Sequence, residues 1–570
     1  MPTVTIDDRT VEVERGTNLI EAAKRVGVQI PHYCYHPRLS VVGQCRMCLV
    51  QVDGSPKLAA ACASQVMKDG MVVRTDVPEV EEAQRGMMEF FLINHPLDCP
   101  ICDQAGECGL QDYAFKHGVA FSRFRFEDKR TYPGRERIPL GPNVLLNMNR
   151  CIQCTRCIRF THEVSKTGEL GFFDRGARTE IGVFPGKPLD NPLATNVVDI
   201  CPVGALTSTR FRFAERVWYL SKEPSICTGC DAGCNVTLEH RRGRIRRYKP
   251  RFNPEVNDYW MCDYGRGTFE RYHQTPRLEV PRSMRDGRPA AATWRQALDA
   301  VHAAVAEAME SGGDGKGSVA VLGSGHLTVE EAYLLARLAE HAGAHRAVAV
   351  EPGPERWVPN PKGGVTGREA APNRRGAELA GLGGSGSAEN EAGEGNGSAR
   401  GVSAAELLEG DAAAGCAVLI VAGHDLAAAA HDPEAVERLR RARFLVVAGW
   451  ADTPLAKAAD VALPLATHAE QEGTFVNSQW RLQRFEECFP PPGEARPGVE
   501  ALTDLLARSD PEWRGLGPAE VFARLAASVP AFAGLDYDSL PPTGAALAVG
   551  GTQSEEGRTA EIGGAEVGGG

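Results

Sequence analysis

Hydrophobic and polar positions along this chain repeat with two different periods, and the changes between them mark its organisation. Val4 and Ile6, then Val11 and Val13, alternate around Asp7-Asp8, the period-two pattern of a hairpin. Thr17 or Asn18 stands where a helix cap belongs, and Leu19, Ala22, Ala23 and Val26 fall on one face of the helix that follows. Leu49–Val52 reads as a strand with Asp53-Gly54 as its turn. Residues 79–118 read as helical, with Met87, Met88, Phe91 and Leu92 as the apolar stripe. A second hairpin is predicted from Thr237–Glu239, Gly243 and Ile245–Tyr248.

From about residue 290 the sequence turns Ala-rich, and strand and helix patterns alternate. Ser318–Leu322, Ala347–Val350, Ala417–Val421 and Phe444–Val447 read as buried strands; Val329–His341 and Pro433–Arg440 read as helices. This order predicts a parallel sheet covered by helices. Residues 370–405 interrupt it with Gly, Ala, Ser, Glu and Asn, and read as a disordered insertion; the tail at 541–570 reads the same way. The length of 570 residues exceeds what one core supports, so about three to five domains are expected. The boundaries are drawn at 1–78, 79–118, 119–215, 216–275 and 276–540, a multidomain α+β and α/β chain. No apolar run reaches the roughly 18 residues that a membrane span needs. The N-terminus enters strand-like sequence directly, without a leader pattern, so a bacterial cytoplasmic protein is expected.

The formal net charge is −11, with 36 Lys+Arg and 33 Asp+Glu before residue 271 and 27 and 41 after it. Neither part is basic enough for nucleic acid as the main partner. The cysteines are more informative. Fifteen of the 17 lie before residue 263. A long chain without a secretory leader is not a disulfide scaffold, so these thiols read as metal ligands.

They fall into four sets. Cys34, Cys45, Cys48 and Cys62 have the long-loop spacing of a plant-type [2Fe–2S] ferredoxin, in a domain that reads as a β-grasp; a zinc site is the competing reading. His95, Cys99, Cys102 and Cys108 could hold a cubane or a zinc ion equally well. The third set is Cys151, Cys154, Cys157 and Cys201-Pro202. Two-cluster bacterial ferredoxins repeat Cys-x2-Cys-x2-Cys-x3-Cys-Pro, the last Cys of each run binding the other cluster. Here Thr161 replaces the fourth Cys of the first run, while Asn191, Ala194 and Val197 replace the first three of the second. One [4Fe–4S] cluster keeps all its ligands and the other loses all of its own, a complementary loss for which zinc offers no reason. Cys227, Cys230, Cys234 and Cys262 suit a [4Fe–4S] cluster, with zinc again a competitor. Cys416 and Cys488 are left over and read as structural.

The segments Pro31–Cys48, His95–Gly109 and Cys151–Cys157 resemble the signatures of the large iron–sulfur subunits of respiratory complex I, NADH:quinone oxidoreductase. The resemblance covers about residues 1–275. It implies one [2Fe–2S] cluster at the first set and three [4Fe–4S] clusters at the others, the second ligated by His95 and three cysteines. In that family only some bacterial members carry the fourth cluster, which lies off the main electron path. Residues from 220 onward resemble molybdopterin oxidoreductases, through Cys262–Arg266 and Ala459–Asn477. Tyr264 stands where those enzymes commonly have Lys, no Cys takes the place of a molybdenum ligand, and the α/β region is shortened. No molybdopterin is therefore expected.

A chain with several clusters and no other reactive constellation is an electron relay. Gly323-Ser324-Gly325-His326 follows a strand but lacks the third glycine of a dinucleotide fingerprint, and reads as a structural turn. The flavin must then sit on a partner. The resemblance implies a flavin/NADH-binding subunit and other peripheral-arm subunits as partners. It places the chain at the cytoplasmic side of the bacterial inner membrane without insertion, passing electrons towards quinone. An NAD-linked formate dehydrogenase or hydrogenase is the alternative, and a zinc-stabilised scaffold a third reading. Arg46, Arg156 and Arg159 lie beside ligands and read equally as potential-raising cations or as solvated surface groups. Arg241–Arg251 reads first as a solvated hairpin face.

Overall fold

The computed structural model describes residues 1–311, 319–383, 402–425 and 427–549. It forms two compact units. The first comprises Met1–Gly229, Cys234–Gln274 and Glu355–Thr366; the second comprises Cys230–Gly233, Thr275–Pro354 and the chain from Gly367 onward.

The first unit opens with a five-stranded sheet in the order Arg9–Glu12, Thr3–Ile6, Met71–Arg74, Leu49–Val52, Ala59–Ala60. The expected hairpin pairs Val4 with Val11, and the same strand pairs in parallel with Met71–Arg74. Leu19–Arg25 is the helix across it, capped by Asn18, whose side chain accepts from the Glu21 N–H. Val4, Ile6, Leu19, Ile20, Ala22 and Ala23 form its core. The segment 79–118 is not one helical run. It is two helices, Pro78–Ile93 and Gly109–His117, separated by the turn that carries Cys99 and Cys102. Of the predicted stripe only Met88 is fully buried. Farther on, Leu206–Ser208 pairs antiparallel with Val144–Leu146. Ser221–Ile226, Asn235–Arg241 and Arg244–Pro250 make an antiparallel sheet whose second turn sits at Arg242-Gly243, both at positive φ.

The second unit is built on a seven-stranded sheet: Arg288–Ala291, Arg282–Arg285, Val461–Pro464, Phe444–Gly449, Val418–Ala422, Val319–Ser324, His345–Ala349. The last five are parallel, as the alternating pattern predicts. The helix Val329–His341 has the predicted bounds because Thr328 and Glu331 close a capping box. At the Gly323–Gly325 turn, a Cβ on Gly323 would stand 2.3 Å from Leu382, and one on Gly325 would stand 3.1 Å from the Arg374 nitrogen. Packing, not a phosphate, explains these glycines.

The expected insertion at 370–405 begins later than composition suggests. Arg374–Leu379 is helical, and Asn373, Ala377 and Leu382 are fully buried. Residues 384–401 lie outside the described residues. The expected tail likewise begins with a short strand, Ala545–Ala546, paired to Arg481–Phe485; residues 550–570 are not described. Among the described residues no helix is long and apolar enough to cross a membrane.

One buried acid offers a test of this core. Glu330 is inaccessible, and its carboxylate accepts from the Thr474 hydroxyl at 2.7 Å and the Thr474 N–H at 3.1 Å. Burial pushes its pKa from 4.5 up to about 7. The folded state therefore holds the proton more tightly than the unfolded chain, and stability falls as pH rises from about 4.5 through about 7. Glu330→Gln is expected to remove that loss, on the order of 3 kcal/mol at pH 8. Urea midpoints of both proteins at about pH 5 and about pH 8 check it; an unchanged pH dependence contradicts it.

Candidate iron–sulfur sites

The first set lies in the loop between the helix Leu19–Arg25 and the strand Leu49–Val52, with Cys62 just after the short strand Ala59–Ala60. All four thiols are buried. Cys34 is within hydrogen-bonding reach of Cys45 and of Cys62, and Cys62 of Cys48, so pairwise contacts link the four sulfurs in a row. Hydrogen bonds from Cys45 and Cys62 pull the Cys34 thiol well below its ordinary value, and the same contact with Cys34 pushes Cys62 well above. The Tyr33 N–H donates to Cys45 Sγ at 3.5 Å. Gly43 and Arg46 adopt positive φ, which turns the backbone around the sulfurs.

The third set's Cys151, Cys154, Cys157 and Cys201 line one small cavity. Its other walls are mainly apolar, with Leu146, Ile181 and Leu206 among them, and Arg156 is the one charged side chain. Burial pushes the Cys201 thiol up to about 12 and the Cys157 thiol well above its ordinary value. Four thiols around one mainly apolar space, with a cation at its edge, fit a caged cluster bound through cysteine sulfur. The place of the lost second cluster is packed solid: Thr161, Ala194 and Val197 are fully buried, and Asn191 donates to Glu169 at 2.8 Å.

In the second set Cys102 and Cys108 are buried and Cys99 is exposed. Burial chiefly raises the Cys102 and Cys108 thiols, with a smaller contribution from Cys99 to both and from Cys102 to Cys108. Burial, then Lys129 and Arg150, lowers the His95 pKa to about 4, so its imidazole is neutral and free to ligate. Its charged neighbours are Lys129, Arg150 and Asp98, the residue before Cys99; no contact between the imidazole and the three sulfurs is seen among the described residues.

In the fourth set Cys227, Cys234 and Cys262 belong to the first unit and Cys230 to the second. Gly265 lies beside two of the sulfurs: a Cβ there would stand 2.9 Å from Cys227 Sγ and 3.5 Å from Cys262 Sγ, and the Gly265 N–H donates to Cys262 Sγ at 3.3 Å. Cys227 and Cys234 meet through a backbone hydrogen bond of 2.9 Å. Within the second unit, a Cβ on Gly367 would stand 2.5 Å from Cys230 Sγ. Among the described residues, no three His, Cys, Asp or Glu side chains converge as a single ion would require. Cys416 is buried among apolar neighbours in the second unit.

The sets in the first unit are joined by contacts that sequence reasoning missed. Arg159 Nη2 donates to the Cys34 carbonyl at 2.5 Å and to the Cys154 carbonyl at 3.3 Å. Arg156 donates to the Tyr35 carbonyl at 2.5 Å and the Ile200 carbonyl at 3.1 Å, and Gln44 donates to the Gln153 carbonyl at 2.9 Å. The third set meets the second through Cys201–Gly204. The Gly109 N–H donates to the Pro202 carbonyl at 3.1 Å, and the Cys108 thiol lies 3.8 Å from the same oxygen. Arg150, one residue before Cys151, pairs with Asp98, one residue before Cys99, at 2.8 Å.

Arg46 is exposed, whereas Arg156 and Arg159 are internal clamps. The basic stretch is corrected too. Arg242 and Arg244 face solvent, but Arg247 forks onto Glu107 at 3.0 and 2.8 Å, binds Glu239 at 2.7 Å and lies over the Phe211 ring. That hairpin buttresses the residue before Cys108 and is not a solvated face.

The molybdopterin-like sheet reverses its strand order between Val319–Ser324 and Val418–Ala422, where an open α/β sheet offers a ligand crevice. His424 and Asp425 follow the second of these strands and are buried. His424 Nε2 lies 2.7 Å from the Gly323 carbonyl, and Asp425 accepts from the Ala451 N–H at 2.9 Å.

Comparison with known proteins follows the same order. Residues 1–78 match the 2Fe-2S iron-sulfur cluster binding domain, 84–123 the NADH-ubiquinone oxidoreductase-G iron-sulfur binding region, and 141–207 the ferredoxin-like domain of NADH-quinone oxidoreductase subunit 3. Residues 220–274 match the molybdopterin oxidoreductase Fe4S4 domain and 366–508 molybdopterin oxidoreductase. The NADH-quinone oxidoreductase G subunit of Streptomyces coelicolor is 41% identical over 343 residues, 60% of this chain and 39% of that protein. The mitochondrial NADH-ubiquinone oxidoreductase 78 kDa subunit of Neurospora crassa is 45% identical over 295 residues, 52% of this chain and 39% of that protein. The chain thus spans less than half the length of these relatives. A crystal structure of an NAD+-reducing [NiFe]-hydrogenase in the H2-reduced state shares 30% identity, covering 38% of this chain and 91% of that one, with a TM-score of 0.34.

The glycine at the joint between the second and third sets gives a prediction. A Cβ on Gly204 would stand 2.2 Å from Cys102 Sγ. Gly204→Ala is expected to displace that sulfur and lower the iron bound per chain by about one cluster, with the first set's two-iron spectrum intact. Metal analysis with visible spectroscopy checks it; a full iron complement contradicts it.

Proposed function

We propose that this chain, homologous over its iron–sulfur half to the large iron–sulfur subunits of NADH-quinone oxidoreductase, is an electron relay within such a complex. It takes electrons from a flavin-bearing partner subunit and passes them towards quinone. It is held peripherally, at the cytoplasmic side of the inner membrane, through neighbouring subunits. Cys34, Cys45, Cys48 and Cys62 hold a [2Fe–2S] cluster. His95 with Cys99, Cys102 and Cys108, Cys151 with Cys154, Cys157 and Cys201, and Cys227 with Cys230, Cys234 and Cys262 each hold a [4Fe–4S] cluster. Clusters bound in these sets supply one-electron carriers.

The observation that carries this reading is the continuity of the first three sets. Arg156, Arg159 and Gln44 clamp the first to the third, and Cys201–Gly204 with Arg150 and Asp98 joins the third to the second. The third set is therefore the middle station. The residues give Cys151–Cys157 and Cys201 mainly apolar walls, fix the spacing between stations, and place cations where an added electron is felt. No side chain need move a proton or attack a substrate.

The protein, purified anaerobically, is expected to contain about 14 iron atoms per chain. A colourless chain with about four zinc ions overturns the reading. His95→Cys replaces a neutral ligand by an anionic one and is expected to lower the potential of the second cluster. A redox titration of that cluster showing no downward shift removes His95 from the ligand set.

A further inference from the structure

Arg159 is a buried guanidinium, 7% exposed, at the end of the short helix Arg156–Arg159, which carries Cys157, the last cysteine of the third set's Cys-x2-Cys-x2-Cys run. Its Nη1 donates to the Ser40 carbonyl at 2.5 Å, its Nη2 to the Cys34 and Cys154 carbonyls, and its Nε to the Thr155 hydroxyl at 3.2 Å. Every acceptor is uncharged. Among the described residues, no carboxylate comes within ion-pair distance. The acid that acts on it through space, Glu163, is itself engaged by the Ser40 N–H at 2.8 Å and the Ser40 hydroxyl at 2.5 Å.

A buried charge without a partner is strongly unfavourable and is rarely kept without a compensating charge. Two of its carbonyl acceptors belong to cysteines, Cys34 in the first set and Cys154 in the third. A cluster held by four cysteine thiolates is anionic and becomes more so on reduction.

We propose that Arg159 is the shared counter-charge of the first and third sets, a positioning residue that fixes their separation and raises the potential of both. The inference rests on the cluster reading above and adds to it a specific coupling between two stations. Arg156 is not equivalent. It lines the third set's cavity but reaches only the Tyr35 and Ile200 carbonyls, so its hydrogen bonds meet no ligand of the first set. A guanidinium suits the Arg159 position because its fork reaches three carbonyls from one planar head, which a single ammonium does not.

The test is an EPR-monitored redox titration, with dithionite as reductant, of the assembled complex carrying Arg159→Met. The midpoints of the two-iron centre and of the third-set cubane are expected to shift downward together, with that of the second set unmoved. If only one shifts, or neither does while all signals persist, the shared counter-charge is overturned. Should the Met variant not assemble, Arg159→Lys applies the same criterion: both midpoints fall by a smaller step, and a shift confined to one overturns the inference. Absence of iron–sulfur signals from the unsubstituted complex would remove the cluster reading itself, a result distinct from unshifted midpoints.

Discussion

Hydrogen bonds from a few buried donors to the backbone carbonyls of cysteine-bearing loops hold the first unit together where its chemistry lies. Arg159 joins Cys34 to Cys154, and Arg156 joins Tyr35 to Ile200. The Gly109 N–H joins the second set to Pro202, in the turn after Cys201. Each bond ties a loop of one set to a loop of another. Electron hopping falls steeply with distance, so a relay needs fixed intervals more than it needs reactive side chains. Charge-assisted bonds to carbonyls serve this well: they are short and directional, and they bring no competing anion beside the sulfurs.

The surroundings of the sets divide the remaining work. Apolar walls line Cys151–Cys157 and Cys201, and burial disfavours an isolated Cys157 thiolate. Close-approach glycines, Gly204 at Cys102 and Gly265 at Cys227, let backbone pass where a side chain would strike sulfur. Ion pairs stand one layer back: Arg150 with Asp98, and Arg247 with Glu107 and Glu239. In the second unit, the buried His424 and Asp425 at the switch point of the sheet are engaged with backbone at Gly323 and Ala451.

What was legible in the sequence was local. The first hairpin, the cap at Asn18 and the bounds of Val329–His341 follow from residues within a few positions of one another. The Cys-x2-Cys pairs are local in the same sense, whereas Cys201 and Cys262 stand far along the chain from the rest of their sets. The clamps were not legible, because Arg159 acts on a carbonyl 125 positions away and Arg247 on a carboxylate 140 away. Composition misled where charge or small residues dominate. The run Arg241–Arg251 looks solvated until Glu107 is placed beside it, and the helix Arg374–Leu379 is hidden by the Gly- and Ala-rich sequence around it. Gly204 carries no sequence mark that separates it from a turn glycine; only the sulfur 2.2 Å from its missing Cβ does so.

The central claim is that cysteine-held clusters stand close enough to exchange electrons, with the third set between the first and second. Low-temperature EPR of the dithionite-reduced protein addresses it most directly. One two-iron signal and cubane signals are expected, with the third-set signal broadened and relaxed by magnetic neighbours on both sides. A spectrum without iron–sulfur signals, or with every centre magnetically isolated, would contradict the account.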